Sequence, residues 1–295
     1  MYINNNQMAL NVGNTLANHY SNLQTSTRRL SSGLRVNSAA DDAAGLAIRE
    51  LMRADIAALN QGVRNANDAI SLIQTADGAL GVIDEKLIRM KELAEQAATG
   101  TYDSTQRLMI ESEYQAMASE ITRIANATDF NGIYLLNGNL SSDDHNGAGL
   151  KSTGKLKVHF GSGNDSAEDY YYIQIGTATA SALGLGTGAA QGSKGYSIST
   201  QQAAQEALAA INQAVISKDK IRANLGAMQN RLENTISNLT TQAENLQAAE
   251  SRISDVDVAA EMTQFVRNQI LTQSAVAMLS QANSMPRLAL SLIGG

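Results

Sequence analysis

Apolar residues recur every seven positions along two long stretches of the chain. In the first, Leu59, Ala66, Ile73, Leu80 and Leu87 keep the interval, and Ile56, Val63 and Ile70 fill the other seam position. In the second, Leu225, Leu232, Leu239, Leu246 and Ile253 do the same. A sustained repeat of this kind is the seam of a helix packed lengthwise on another helix. It predicts one helix from Ala43 to Ala98, about 80 Å long at 1.5 Å per residue. A second opens at the capping-box pattern Ser199-x-x-Gln202 and runs to Ile253. Leu16, Leu23 and Leu30, with Tyr20 and Thr27 four residues after the first two, predict a helix over Asn4 to Leu30. Another is expected from Val258 to Leu290, opened by Ser254-x-x-Asp257, with Pro286 tolerated near its end. Gly100 and Asp103 break the chain before a further helix over Ser104 to Ala127.

Polar linkers interrupt this pattern. Ser31 to Asp42 holds Gly33 and two aspartates, of which Asp41 or Asp42 caps the following helix. Twelve of the 23 glycines fall between Gly138 and Gly195. In that segment the alternating runs Lys155 to Phe160 and Tyr170 to Ile175 read as strands. The stretch Phe130 to Gly138 carries two Asn-Gly turn signals around an apolar run and predicts a hairpin. The expected fold class is mainly α: a long antiparallel helical rod, coiled-coil-like, with paired terminal helices, a β-hairpin and a small β-rich central insert. Each terminal helix is cut off by a polar linker, so its seam has little to pack on except the other terminal helix and neighbouring copies.

Composition sharpens that picture. Of 295 residues 45 are Ala, while nine Tyr, three Phe and no Trp supply all the aromatic surface. Ala buries little area and aromatics much, so one large globular core is excluded, and helices packed side by side are favoured. The absence of Cys removes disulfide scaffolds, thiolate zinc sites and a Cys nucleophile. His19, His145 and His159 are too scattered for a His-rich metal site, and no HExxH or phosphate-binding GxxxxGK[ST] occurs. No catalytic residue, metal or cofactor is expected. A net charge of -6 argues against a nucleic-acid partner. No 18-residue apolar run occurs, so no membrane insertion is expected. The first ten residues lack a basic region and an apolar core, which argues against Sec-type secretion with signal cleavage.

Longer blocks narrow the reading to a family. The run Arg29 to Ile48 (RLSSGLRVNSAADDAAGLAI) and the run Arg64 to Leu80 (RNANDAISLIQTADGAL) resemble the N-terminal signature of bacterial flagellins. Leu225 to Leu232 (LGAMQNRL), Ser251 to Asp257 (SRISDVD) and Gln281 to Pro286 (QANSMP) resemble the C-terminal one. Several long blocks in order at both ends are far more specific than any short motif. The middle departs freely and is short, which implies a reduced outer domain. The resemblance implies an inner layer (D0) of 1–42 and 254–295, a rod layer (D1) of 43–138 and 197–253, and a variable outer insert, 139–196.

It also implies a function. A flagellin polymerises into the extracellular filament that drives swimming and is exported through the flagellar type III apparatus. Its partners are further copies of itself, the filament cap, hook-junction proteins, an export chaperone on the C-terminal helix and the vertebrate receptor TLR5. Identical copies meeting head to tail without closing build a helical fibre. The residues expected to carry polymerisation are Leu16, Leu23, Leu30, Leu34, Arg35, Asp41, Asp42, Arg231, Leu232, Ile253, Phe265, Ile270, Leu279 and Leu290. The linkers carry opposite charges, Arg28, Arg29 and Arg35 against Asp255 and Asp257, which suits either solvated caps or pairing between copies. Arg89, Leu93 and Glu113 stand at the positions read by TLR5 in the family; Ile88 and Lys91 depart from its usual Gln and Arg. A hook–filament junction protein is the alternative, since it shares the terminal helices. An enzymatic insert would need more than His145 and His159.

Overall fold

A computed structural model describes residues 6–148, 153–166 and 168–293. The helices are α1 (Gln7–Ser32), α2 (Ala43–Ala98), α3 (Ser104–Ala127), α4 (Ala180–Leu183), α5 (Gln201–Ser254) and α6 (Val258–Ile293). Three antiparallel strand pairs lie between α3 and α5: β1 (Asp129–Phe130) with β2 (Ile133–Tyr134), β3 (His145–Asn146) with β4 (Thr153–Gly154), and β5 (Leu156–His159) with β6 (Tyr170–Ile173). The fold is mainly α with a small β-rich insert, as the periodicity predicts. The predicted start of the first helix, Asn4, lies outside the described residues.

The chain forms two compact units. One is Ala57–Ala243; the other joins Met1–Ile56 to Glu244–Gly295. In the first of these, the predicted seams form the core. Leu59, Ala66, Ile73, Leu80 and Leu87 are buried along α2, and Leu225, Leu232 and Leu239 along α5. Each such Leu or Ile contributes about 1.5–3 kcal/mol by leaving water. Tyr114 of α3 is fully buried and its hydroxyl donates to the Gly195 carbonyl at 2.8 Å; burial pushes that phenol well above its ordinary value. Two ion pairs set the antiparallel register of α2 and α5. Lys218 donates to Asp84 at 2.5 Å, and Arg222 grips Asp77 through two bonds of 2.7 and 3.1 Å.

The insert docks on this core through backbone groups. Gly62 of α2 lies against the Phe160 carbonyl so closely that a Cβ would collide with it, and the Asn65 amide donates to the His159 carbonyl at 2.8 Å. On α3, Glu111 accepts from the Ile198 N–H at 2.5 Å, and Gln115 accepts from the Thr187 N–H at 2.7 Å.

Most local signals form the structure they predict, and a few do not. Asn131 and Gly132, with φ of 51° and 78°, form the two-residue turn between β1 and β2, a conformation that Asn-Gly adopts at little cost. The second Asn-Gly does not close a hairpin. Asn137 accepts from the Asn139 N–H and Gly138 from the Ser141 N–H, so that pair bends a loop instead. Helix α5 starts one residue later than the capping box implies, because Thr200, not Ser199, accepts from the Ala203 N–H. Asp42 rather than Asp41 caps α2, accepting from the Gly45 N–H at 2.9 Å. Asp257 caps α6 through the Ala259 and Ala260 N–H groups, while Ser254 closes α5 and donates to Glu250.

Candidate functional site

The polymer reading places the site on the terminal helices and their linkers, all in the unit of Met1–Ile56 and Glu244–Gly295. Helix α1 ends at Gly33, whose left-handed φ of 72° lets its N–H donate back to the Arg29 carbonyl. The linkers then pair through their backbones. Leu34 bridges Asp255, Arg35 N–H donates to the Ser254 carbonyl at 2.6 Å, and Val256 N–H donates to the Gly33 carbonyl at 3.0 Å. These bonds join the segment after α1 to the segment before α6, so the two helices leave side by side and pack on each other.

The linker charges are used within the chain. The Arg35 guanidinium donates to the Ile253 carbonyl at 2.6 Å, not to a carboxylate. Arg28 pairs with Asp41 at 2.8 Å, and Arg29 with Glu261 at 3.6 Å. Asp41 also accepts from the Asn37 and Ser38 N–H groups and the Ser38 hydroxyl. Partial burial opposes ionisation there, but those hydrogen bonds and Arg28 hold the carboxyl below the usual aspartate value. Arg49, buried and absent from the sequence reading, donates to the Val36 carbonyl at 2.7 Å and pins the linker to α2. Asp255 accepts from the Ser251 hydroxyl.

The α1 seam differs from the one the leucines suggest. Leu16, Leu23 and Leu30 are half-buried as expected, but the intervening position falls three residues on, not four. His19 is half-buried and Ser26 buried, whereas Tyr20 is 55% exposed and Thr27 lies outside. Polar residues hid that half of the seam from an apolar count. On α6 the buried residues are likewise small, Thr272 and Ala282. Phe265 and Leu279 are half-buried; Ile270 is 57% exposed. The Leu290 side chain lies outside the described residues.

Pro286 sits inside α6 and has no N–H to give the Ala282 carbonyl, four residues back. The Asn6 side-chain amide supplies the missing donor from its Nδ2 at 2.8 Å, while its Oδ1 caps α1 by accepting from the Ala9 N–H. One asparagine therefore starts α1 and repairs α6.

One exposed strip of α6 is apolar. Val258, Met262, Val266 and Ile270, four apart, are all exposed and form one ridge; Val276 and Met278 extend the apolar surface. Met8, Leu10 and Tyr20 are exposed on α1. A contiguous apolar ridge in solvent is a candidate contact surface.

The remaining predicted residues fall in the unit of Ala57–Ala243. Leu232 is buried in its core, and Arg231 lies over the Tyr171 ring at 3.6 Å. Arg89 on α2 bonds Glu113 on α3 at 2.8 and 2.9 Å and Glu92 at 2.9 Å, bonds that raise the guanidinium above its ordinary value. Leu93, one turn on, is 1% exposed and belongs to the core. Among the described residues no group of three or more His, Cys, Asp or Glu could hold a metal ion, and no helix is long and apolar enough to cross a membrane.

Comparison with known proteins assigns both ends of the chain to one family. Residues 3–141 match the bacterial flagellin N-terminal helical region, and residues 200–293 match the bacterial flagellin C-terminal helical region. Flagellin FlaB2 of Treponema pallidum is 40% identical over 299 residues, covering 99% of this chain and all of the relative. A flagellin of Bacillus subtilis is 42% identical over 306 residues, with the same coverage. The crystal structure of Bacillus cereus flagellin is 28% identical and covers 63% of this chain and 94% of its own, with a TM-score of 0.46. These matches do not favour the junction-protein alternative. The chain belongs to the bacterial flagellins, structural subunits without enzymatic activity that polymerise into the extracellular flagellar filament.

Proposed function

We propose that the outward faces of α1 and α6 are the surfaces that neighbouring copies bury as the filament grows. The observation that carries this is the exposed ridge Val258, Met262, Val266 and Ile270 on a helix whose buried side chains are only small ones. Burying four such side chains stabilises a contact by several kcal/mol before the cost of association, on the order of 1.5–3 kcal/mol each. Leu16, Leu23, Leu30, Phe265 and Leu279 take a double role, half-spent between α1 and α6 and half left for the next copy. Leu290 continues the same helix. Leu34, Arg35, Asp41, Asp42 and Ile253 act by fixing how the two terminal helices leave their linkers. Leu232 and Arg231 act through the rod they hold together.

The layer boundaries at 42, 138, 196 and 253 follow the same reading, with the terminal helices inside and the insert outside. The filament cap and hook-junction proteins would meet the same apolar faces at the ends of the fibre. The export chaperone would cover the α6 ridge before secretion, since an apolar helix left open in the cytoplasm invites premature assembly. TLR5 would read the exposed Arg89–Glu113 pair; Leu93, being buried, supports that surface from beneath.

Polymerisation of an Ile270→Asp, Val266→Asp double variant tests the main reading. The variant is expected to keep a helical monomer by circular dichroism and to form no filaments when seeded. Filaments of normal yield would overturn it. For TLR5, reporter cells should respond to the parent and lose most of the response with Arg89→Ala; an equal response would remove that role.

A further inference from the structure

The β5–β6 pair gathers cations and rings on one face. In its register Lys157 lies opposite Tyr172 and His159 opposite Tyr170, and alternate positions share a face. The other face, with Val158 and Ile173, is buried in the core. On the open face the Lys157 ammonium stands 3.6 Å from the centre of the Tyr170 ring, and Lys155 stands 4.7 Å from that of Tyr172. His159 stacks on Tyr170 at 5.9 Å, and His145 lies against Tyr172 at 5.4 Å. The His145 Nδ1 donates to the Lys155 carbonyl at 2.8 Å, which fixes that ring on the patch.

Among the described residues Lys155 and Lys157 enter no ion pair, although Lys218 and seven arginines do, in a chain of net charge -6. Their charges are held in place by aromatic rings, and none of the described carboxylates pairs with them. Cations fixed in advance and not neutralised are a site prepared for an anion, because little ordering remains to be done on binding.

We propose that this face binds an acidic polysaccharide, with sugar carboxylates on Lys155 and Lys157 and sugar rings against the tyrosine edges. Nucleic acid fits less well. Bases stack on open, parallel ring faces, whereas Lys157 covers a face of Tyr170, and Tyr170 meets Tyr172 edge-on at 81°. Tyr172 also walls a groove of about 350 Å³ between β6 and α5, whose other side carries Asn224 and Arg231. An amide and a guanidinium there suit the hydroxyl and carboxylate groups of a sugar chain. All these side chains belong to one compact unit.

The test is fluorescence anisotropy of a fluorescein-labelled alginate oligosaccharide titrated with the full chain at low salt. Labelled dextran and labelled oligothymidylate serve as competing probes. Alginate should bind in preference to both, and binding should fall as salt is added. The Lys155→Gln, Lys157→Gln variant should bind about tenfold more weakly, as expected for the loss of two exposed charge contacts. Lys220→Gln, an exposed lysine elsewhere, should bind normally, and Lys157→Arg should retain binding because it keeps the charge. The proposal is overturned if the double variant binds as the parent does, if Lys157→Arg loses binding as the double variant does, if dextran binds equally, or if oligothymidylate binds more tightly than alginate.

Discussion

Single residues decide two features of this subunit. Asn6 donates to the Ala282 carbonyl that Pro286 leaves without a helical partner, and it caps α1 at the same time. Asn6→Ala should therefore cost about 1–2 kcal/mol, the usual range for a lost cap and hydrogen bond. Pro286→Ala returns a helical N–H to Ala282, so the loss in the Asn6→Ala, Pro286→Ala double variant should be smaller than the sum of the singles. Hydrogen exchange over the first turns of α1 measures both; strict additivity would show that the Asn6–Ala282 bond carries nothing. Gly62 makes the second case. Ala in a helix interior is normally favoured over Gly by about 1 kcal/mol. At Gly62 the added methyl would strike the Phe160 carbonyl, while at Gly78 it meets nothing within 4 Å. Gly62→Ala should lower stability by about 1–3 kcal/mol, and Gly78→Ala should raise it by about 0.5–1 kcal/mol. Thermal melts of the two monomers would separate them by sign.

At the scale of elements, the pairing of α2 with α5 combines an apolar seam with charges that specify register. Lys218 is 2% exposed as a side chain, between Asp84 and Asp219, and Arg222 holds Asp77. Burial opposes the Lys218 charge, but hydrogen bonds from its ammonium to Asp219 and Asp84 outweigh that and raise it above the ordinary lysine value. Lys218→Met should destabilise the rod, since it strands Asp84 beside an apolar group. Arg222 holds the Asp77 carboxyl below its ordinary value. A depressed carboxylate lends stability above its unfolded value, near 3.9, and loses it as pH falls through the folded value. Asp77→Asn should therefore lower stability at pH 7 and flatten the acid limb of the melting curve below about pH 4. An acid limb as steep as the parent's would place the acid sensitivity elsewhere.

For the whole molecule, the two compact units differ in how far their helix seams are buried. The unit of Ala57–Ala243 buries its leucine seams within the chain, whereas the unit of the termini keeps an apolar ridge in solvent. A helix whose stability depends on partners opens readily when they are absent. Brief trypsin treatment of the monomer should therefore cut within α1 and α6, at Arg28, Arg29 or Arg267, before the rod, and assembly should protect those sites. Equal resistance of the termini and the rod in the monomer would mean that α1 and α6 need no neighbour.

The sequence alone determined the long helices, the buried leucines of α2 and α5, the Asn-Gly turn at Asn131 and the family. Helical periodicity and turn chemistry are local, and both survive without knowledge of any partner. It misplaced what depends on a distant group. The apolar count carries the α1 seam through Tyr20 because Ser26 is polar, yet Ser26 is the buried residue and Tyr20 the exposed one. Arg35 looked like a partner for a carboxylate until the paired linkers brought the Ile253 carbonyl to it. The Asn6–Ala282 bond joins residues 276 positions apart and leaves no trace in local pattern. The cationic face of β5 and β6 was equally hidden, since only strand register sets Lys157 over Tyr170. Tertiary structure decided these points because each needs two segments in contact, and their separation in the chain carries no record of it.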